Sequence, residues 1–278
     1  MGSRRISTST SFDDFVNDKV SEVKIFGKNL QSIQAVARED ELLAELEVFD
    51  WDILFLSETW REQQQERWKT KDGHIFCGSG GNSGSKGVAI ILHRRWSKGF
   101  KAFYAISDRV CAVDCKISGQ LCRLISVYFP HGGYDDEAVE GMYADVDKVI
   151  RGARRQKRTC ILLGDWNAVV GPWQEGDDQD SVGFHGVGCR NERGSCLARW
   201  AGMQQLTIAN TIMEKDFEEQ WTHSNGGIKR QIDFALICTS KADWMHDAGA
   251  NEMIGIGKDH RTVYLNLKIP QREGDNKK

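Results

Sequence analysis

Carboxylates, amides and one imidazole recur in this sequence immediately beside apolar, strand-like runs. Glu58 follows Ile53-Leu54-Phe55-Leu56-Ser57, and Asp165 and Asn167 follow Ile161-Leu162-Leu163-Gly164. Asp233 lies inside Gln231-Ile232-Asp233-Phe234-Ala235-Leu236, and Asp259-His260 opens the last such run. A carboxylate beside a wholly apolar strand is costly to bury unless it is paired or coordinates a metal. Strand ends meeting at one edge of a sheet would gather these groups. Hard oxygen donors without a thiolate cluster are what Mg2+ or Mn2+ requires. A histidine next to an aspartate suits acid–base work. Each position alone has a plainer explanation, because Asp and Asn commonly follow strands as turn formers. The joint occurrence is what points to a site.

The elements that must position these groups are mostly strands. Apolar runs and alternation predict them over 23–27, 52–56, 74–79, 87–92, 109–117, 121–129, 159–163, 206–209, 230–238 and 260–269. Gly80-Gly81-Asn82-Ser83-Gly84-Ser85 reads as a turn between two of them. Helical periodicity appears over 33–48, over 135–156 with the stripe Val139, Met142, Tyr143, Val146, Val149 and Ile150, and over 192–206. Strands in groups with helices between them predict one α+β domain over 21–269: two packed sheets with outer helices. Residues 1–20 and 270–278 are polar and read as disordered tails.

The 278 residues carry a formal net charge of −3, so no basic excess announces nucleic acid. Contact with phosphates needs only local Lys and Arg. Three basic clusters offer it: Arg94-Arg95 with Lys98 and Lys101, Lys229-Arg230, and the dense run Arg151 to Arg158. The last falls at a helix C-terminus, where cations suit the helix dipole in any case. The 8 cysteines form no C-x-x-C pair and several sit in apolar runs, so reduced thiols are expected rather than a disulfide framework or a zinc site. The longest apolar run, Val88 to Leu92, is far short of a membrane span. The Ser/Thr-rich N-terminus lacks an apolar signal core, so an intracellular protein, nuclear if it meets chromosomal DNA, is expected rather than a secreted one.

Taken in order, these segments resemble the signature of the endonuclease/exonuclease/phosphatase superfamily. Lys24-Ile25-Phe26-Gly27-Lys28-Asn29-Leu30 stands where that superfamily has an apolar strand and then Trp-Asn. Leu56-Ser57-Glu58-Thr59-Trp60 matches its glutamate segment, Ser126-Val127-Tyr128-Phe129-Pro130 its Tyr-x-Pro stretch, and Gly164-Asp165-Trp166-Asn167 its Gly-Asp-x-Asn motif. Gln231-Ile232-Asp233-Phe234 and Asp259-His260 resemble its last two motifs. Glu58-Thr59-Trp60, the segment Gly186 to Gly194 and Ile208-Ala209-Asn210-Thr211 are similar to endonuclease domains of non-LTR retrotransposons of the RTE or Bov-B kind. No reverse transcriptase follows, so the resemblance implies a truncated copy, a stand-alone derivative or an excised domain.

The resemblance implies a DNase I-like four-layer α/β sandwich that nicks one strand of double-stranded DNA with Mg2+ (or Mn2+). Glu58 would hold the metal with Asn29 beside it, and Asp259 would help or would position His260. Asp165 would orient or deprotonate the attacking water, and Asn167 and Tyr128 would contact the phosphate. Asp233 would hold the imidazole of His260. His131, Thr222 and Arg230 would add substrate contacts. The chain departs from the family pattern at Lys28, His131, His223 and Lys258, none of which is a presumed ligand, so altered DNA contact is expected rather than lost chemistry. Two alternatives stay open: another phosphoesterase of the same superfamily acting on RNA or a phosphoinositide, and a catalytically dead derivative serving as a binding domain.

Overall fold

β1 (Val20–Asn29) turns Val23 and Ile25 into the interior, with both side chains fully buried. The structure is a computed structural model and describes residues 20–82 and 84–271. α1 (Val36–Leu46) follows, then β2 (Ile53–Ser57), β3 (Glu66–Lys69), β4 (Ile75–Ser79) and β5 (Val88–Leu92). A short 3-10 turn leads into β6 (Phe100–Ser107), β7 (Val110–Ile117) and β8 (Gln120–Tyr128). Next come α2 (Asp136–Arg155), β9 (Thr159–Asp165), α3 (Glu192–Met203) and β10 (Leu206–Ile208). A small hairpin of β11 (His223–Asn225) and β12 (Ile228–Arg230) precedes β13 (Asp233–Cys238), β14 (Met245–Asn251) and β15 (Thr262–Pro270).

The first sheet has the order β14-β15-β1-β2-β5-β4-β3 and the second β10-β13-β9-β8-β7-β6. Every residue of β2 and β5 is buried, which is why their sequences are continuous apolar runs rather than alternating ones. Between the sheets lies one core containing Ile25, Phe55, Ile90, Val113, Leu124, Ile161 and Leu265. A second core packs α2 and α3 on the outer face of the second sheet, through Val146, Ile150, Leu197, Leu162 and Phe234. A third packs α1 on the outer face of the first, through Leu42, Leu46, Phe26 and Leu54. The result is four layers, helix–sheet–sheet–helix, as the resemblance implied.

Two parallel pairs sit at the centre of the sandwich, β1 with β2 and β8 with β9. Parallel neighbours end together, so Asn29 and Ser57 are register partners, as are Tyr128 and Asp165. β13 runs antiparallel to β9 and places Asp233 opposite Asp165. The sheets approach closely at this end. A Cβ on Gly27 would fall 1.7 Å from Leu163 Cδ2, so only glycine lets β1 lie this near β9. Gly164 is crowded within its own sheet instead, where the carbonyl oxygen of its register partner Val127 would be 1.9 Å from an added Cβ.

Several boundaries differ from those expected. α1 begins at Val36 rather than 33, because Ile33 N–H donates to Thr59 O across the loops. α3 stops at Met203, since Gln205 turns the chain at φ +46° and Leu206 enters β10. The expected strand 230–238 is two, broken between Arg230 in β12 and Asp233 in β13. β3, β6, β11 and β14 lay outside the expected strands. Apart from residues 20, 270 and 271, the expected tails lie outside the described residues, and Val20 and Pro270 pair with each other at the sheet end.

Candidate active site

The site forms where the central strands of both sheets end. Asn29 closes β1, and just beyond β2 the chain turns through Glu58 and Trp60 at φ +50° and +55°. That turn directs the Glu58 carboxylate back toward β1. Asn29 Nδ2 donates to Glu58 Oε1 at 2.9 Å and to Asp165 Oδ2 at 3.1 Å, so one amide bridges the carboxylates of the two sheets. Trp60 Nε1 donates to the other Glu58 oxygen at 3.3 Å. Tyr128 is buried and its hydroxyl bonds Glu58; burial, with Glu58 beside it, pushes the phenol above its ordinary range.

Asp165 is 2 % exposed. Its Oδ1 accepts the Asn167 N–H at 2.9 Å, with Asn167 at φ +48°, a local turn that explains the Asp-x-Asn spacing. Asn167 Nδ2 is itself tied to Phe129 O at 2.9 Å. Burial, and then the Asp233 carboxylate opposite, push the Asp165 carboxyl up to about 8.

His260 Nδ1 lies 3.0 Å and 3.2 Å from the two Asp233 oxygens, and its Nε2 lies 4.0 Å from Asp165 Oδ2. Burial disfavours the charged ring, but Asp233 and then Asp165 outweigh it and hold the imidazole at about 9. Three further contacts fix the pair. Lys28 Nζ donates to the His260 carbonyl, and the His223 ring packs on that of His260 with centroids 4.6 Å apart. Asn210 clips β13, donating to Asp233 O and accepting from Ala235 N–H, both at 3.1 Å. Asp259 accepts from Gln31 Nε2 at 2.6 Å, while its Oδ1 is buried with no hydrogen-bond partner.

Asn29, Glu58, Tyr128, Asp165, Asn167, Asp233, Asp259 and His260 are thus brought to one edge. Three expected substrate contacts fare differently. Thr222 is fully buried, and its hydroxyl accepts the Ile232 and Asp233 N–H groups at 3.0 Å each; it positions β13 and does not face a substrate. His131 is exposed in the turn after β8, its Nδ1 accepting from Gly133 N–H at 3.1 Å. Arg230 is exposed on β12, opposite His223, at the rim of the site.

Of the basic clusters, only Lys229-Arg230 lies at this edge. Arg151 to Arg158 closes α2 at the end where β9 begins, and Arg158 pairs with Asp114 at 3.1 Å. Arg95 is engaged by buried Asp52, at the start of β2. Arg109 escaped the sequence reading altogether. Its guanidinium stacks 4.7 Å from the Tyr128 ring and 4.9 Å from the Tyr134 ring, and donates to Tyr128 O at 3.1 Å. No local pattern marks it, since both rings arrive from other parts of the chain.

The charge balance distinguishes this cluster from other buried acids. Asp114 and Asp52 each have an arginine partner. Among the described residues, Asp165 and Asp233 form no ion pair with arginine or lysine. Ligand atoms of Asp165, Asp233 and His260 lie within 4.8 Å of one another, and Glu58 stands one amide away. Buried oxygen donors without a matching arginine, one of them (Asp259 Oδ1) unpartnered, fit a hard divalent cation.

Two sheets whose central strands deliver acids, amides and an imidazole to one edge define the DNase I-like class of phosphoester-cleaving folds. Residues 26–243 match the Endonuclease/Exonuclease/phosphatase family, and the chain belongs to it. It is 24% identical over 238 residues to craniofacial development protein 2 of Tragulus javanicus, a match that covers 83% of this chain and 40% of that protein. The chain therefore spans about two-fifths of that relative. Its fold is similar to the endonuclease domain of TRAS1, a telomere-specific non-LTR retrotransposon, with a TM-score of 0.62 at 15% identity over 91% of this chain and 100% of that one. It is similar as well to the 3′ phosphatase NExo from Neisseria bound to product DNA hairpin, with a TM-score of 0.65 at 18% identity over 88% of this chain and 99% of that one.

Proposed function

We propose that this chain is a divalent-metal-dependent phosphodiesterase that nicks one strand of duplex DNA, in the manner of a retrotransposon endonuclease domain. The observation that carries the reading is the Asn29 amide joining Glu58 and Asp165 while the Asp233–His260 pair stands against Asp165. Glu58, with Asn29 and Asp259, would hold Mg2+ (or Mn2+). Held there, such a cation would supply neutralisation of the charge that builds on phosphate oxygens.

The chain's own groups do the rest. Asp165, which a bound cation would strip of the proton it holds without metal, orients a water against phosphorus and takes its proton. His260, kept cationic at neutral pH by Asp233, donates from Nε2 to a phosphoryl oxygen and so stabilises charge that grows in the transition state. Tyr128 and Asn167 line the same wall. Arg230 and Lys229 on the β11–β12 hairpin lie where a phosphate backbone entering the site would pass. The likeness of the Gly186 to Gly194 segment to retroelement endonucleases, together with the fold shared with the TRAS1 domain, supports duplex DNA over RNA or a phosphoinositide.

Conversion of supercoiled plasmid to nicked circle tests the proposal. Mg2+ should support it and EDTA should stop it, and Asp165→Asn or His260→Gln should slow it by about 10²–10⁴-fold. Nicking that persists near the wild-type rate in either variant would refute the site assignment. Cleavage of RNA or an inositol phosphate in preference to DNA would refute the substrate.

A further inference from the structure

Cys160 and Cys238 lie at the opposite end of the β9–β13 ladder from Asp165 and Asp233. The antiparallel register runs to Ile161 opposite Ile237, so one step further the two cysteines face each other. Cys160 N–H donates to Cys238 Sγ at 3.2 Å, and the two thiols share a hydrogen bond. Facing residues of an antiparallel pair have Cα atoms about 4.5–5.5 Å apart, within the roughly 4.4–6.8 Å that a disulfide spans.

The two thiols are not equivalent. Cys160 is fully buried. Cys238 is half-buried and lines a cavity of about 560 Å³ that Arg154, Lys157, Arg158, Asp178 and Asp180 also line. The hydrogen bond from Cys160 lowers the Cys238 thiol against the effect of burial, with Arg154 assisting, while Cys160 is pushed up. Cys77, Cys111, Cys115 and Cys122 are buried and raised. Cys238, the one of the pair open to the cavity, is therefore the nucleophile and buried Cys160 the thiol poised to resolve it.

We propose that Cys160 and Cys238 form a reversible thiol-modification site, oxidised by hydroperoxides to a disulfide that staples β9 to β13. The Cys238 thiolate attacks one peroxide oxygen, the O–O bond breaks, and Cys238 becomes a sulfenic acid as hydroxide leaves. The Cys160 sulfur then attacks the sulfenyl sulfur, and the departing hydroxide leaves as water with the thiol proton. Two thiols and one hydrogen peroxide give one disulfide and two waters. The link joins positions 78 residues apart, on the two strands whose other ends carry Asp165 and Asp233.

The test is peroxide treatment of the full chain near pH 7, followed by alkylation and non-reducing peptide mapping. A Cys160–Cys238 disulfide that dithiothreitol reverses, with a raised Tm in the oxidised form, is expected. C160A should leave a sulfenic acid on Cys238 that dimedone traps, and should slow carbamidomethylation of Cys238 by about tenfold as its thiolate fraction falls. In the unaltered protein, the pH profile of that alkylation should have its midpoint below that of the C160A variant. Oxidation confined to exposed Cys189, with both strand cysteines recovered as free thiols, would overturn the proposal. So would an alkylation midpoint for Cys238 at the ordinary thiol value.

Discussion

Asp165 and Asp233 face each other across the β9–β13 ladder, and the imidazole of His260 lies against both, 3.0 Å from one carboxylate and 4.0 Å from the other. Asp165 is raised to about 8 and His260 to about 9. Both shifts act on stability in one direction. Asp165 holds a proton in the folded state that the unfolded chain releases near 3.8, so its contribution is complete below that value and lost as pH rises through 8. The His260 contribution is complete below 6.5 and lost as pH rises through 9. Buried Lys28, lowered to about 8, opposes this trend only above that pH. The Tm of metal-free protein is expected to fall between about pH 6.5 and 8, and added Mg2+ to restore more of it at the upper end. A Tm that rises across this window in EDTA would contradict the assigned protonation.

Asn29 is the hinge between the two acidic walls. With Asn29→Ala, Glu58 and Asp165 lose their shared donor and approach each other unscreened. Nicking is expected to drop by about 10²–10³-fold, and stability in EDTA to fall by about 1–3 kcal/mol. Plasmid assays and urea denaturation measure the two effects. An active Asn29→Ala protein would mean that the amide bridge is incidental.

Arg109 acts through Tyr128. Its guanidinium fills the space between two phenol rings and is 6% exposed. Arg109→Met should lower stability by about 2 kcal/mol. It should also reduce kcat more than it raises KM, because Tyr128 braces Glu58. Arg109→Lys should not rescue, since an ammonium cannot stack and donate in the plane together. A wild-type kcat in Arg109→Met would remove Arg109 from the positioning role.

Asp114 provides the contrasting case of a buried acid without chemistry. Arg123 grips it through Nε and Nη2, both at 2.7 Å, and the Tyr104 hydroxyl donates at 3.0 Å. Asp114→Ala leaves Arg123 buried and uncompensated, at a cost of about 3–5 kcal/mol. Mg2+ affinity, read by calorimetry at a temperature where the variant is folded, should be unchanged. A weakened Mg2+ site would place Asp114 in the metal network and blur this distinction.

The core strands and the acids that follow them were legible because burial constrains them twice. β2, β5, β8 and β9 need unbroken apolar runs, and a carboxylate beside such a run stands out against it. Edge strands are under no such constraint. β6 is only half-buried along nearly all its length, and β3 and β14 alternate weakly, so the neighbouring strand and not their own pattern makes them strands. Thr222 read as a substrate contact because nothing in its neighbours reveals that its hydroxyl is consumed by β13. Arg109 was silent for the same reason, and Asn210, though part of the resemblance over Ile208 to Thr211, gave no sign that it holds β13, since its partners are distant in the chain.

The order of the chemical residues and the apolar runs behind them are local properties, written residue by residue, and the class of fold follows from them. Which side chains meet was decided only by tertiary structure. Parallel pairing ends β1 with β2 and β8 with β9 at one edge, and Gly27 lets the two sheets close until Asn29 reaches Asp165. Proton affinities and shared hydrogen bonds depend on distances across sheets, and such distances exist only once the sandwich has packed.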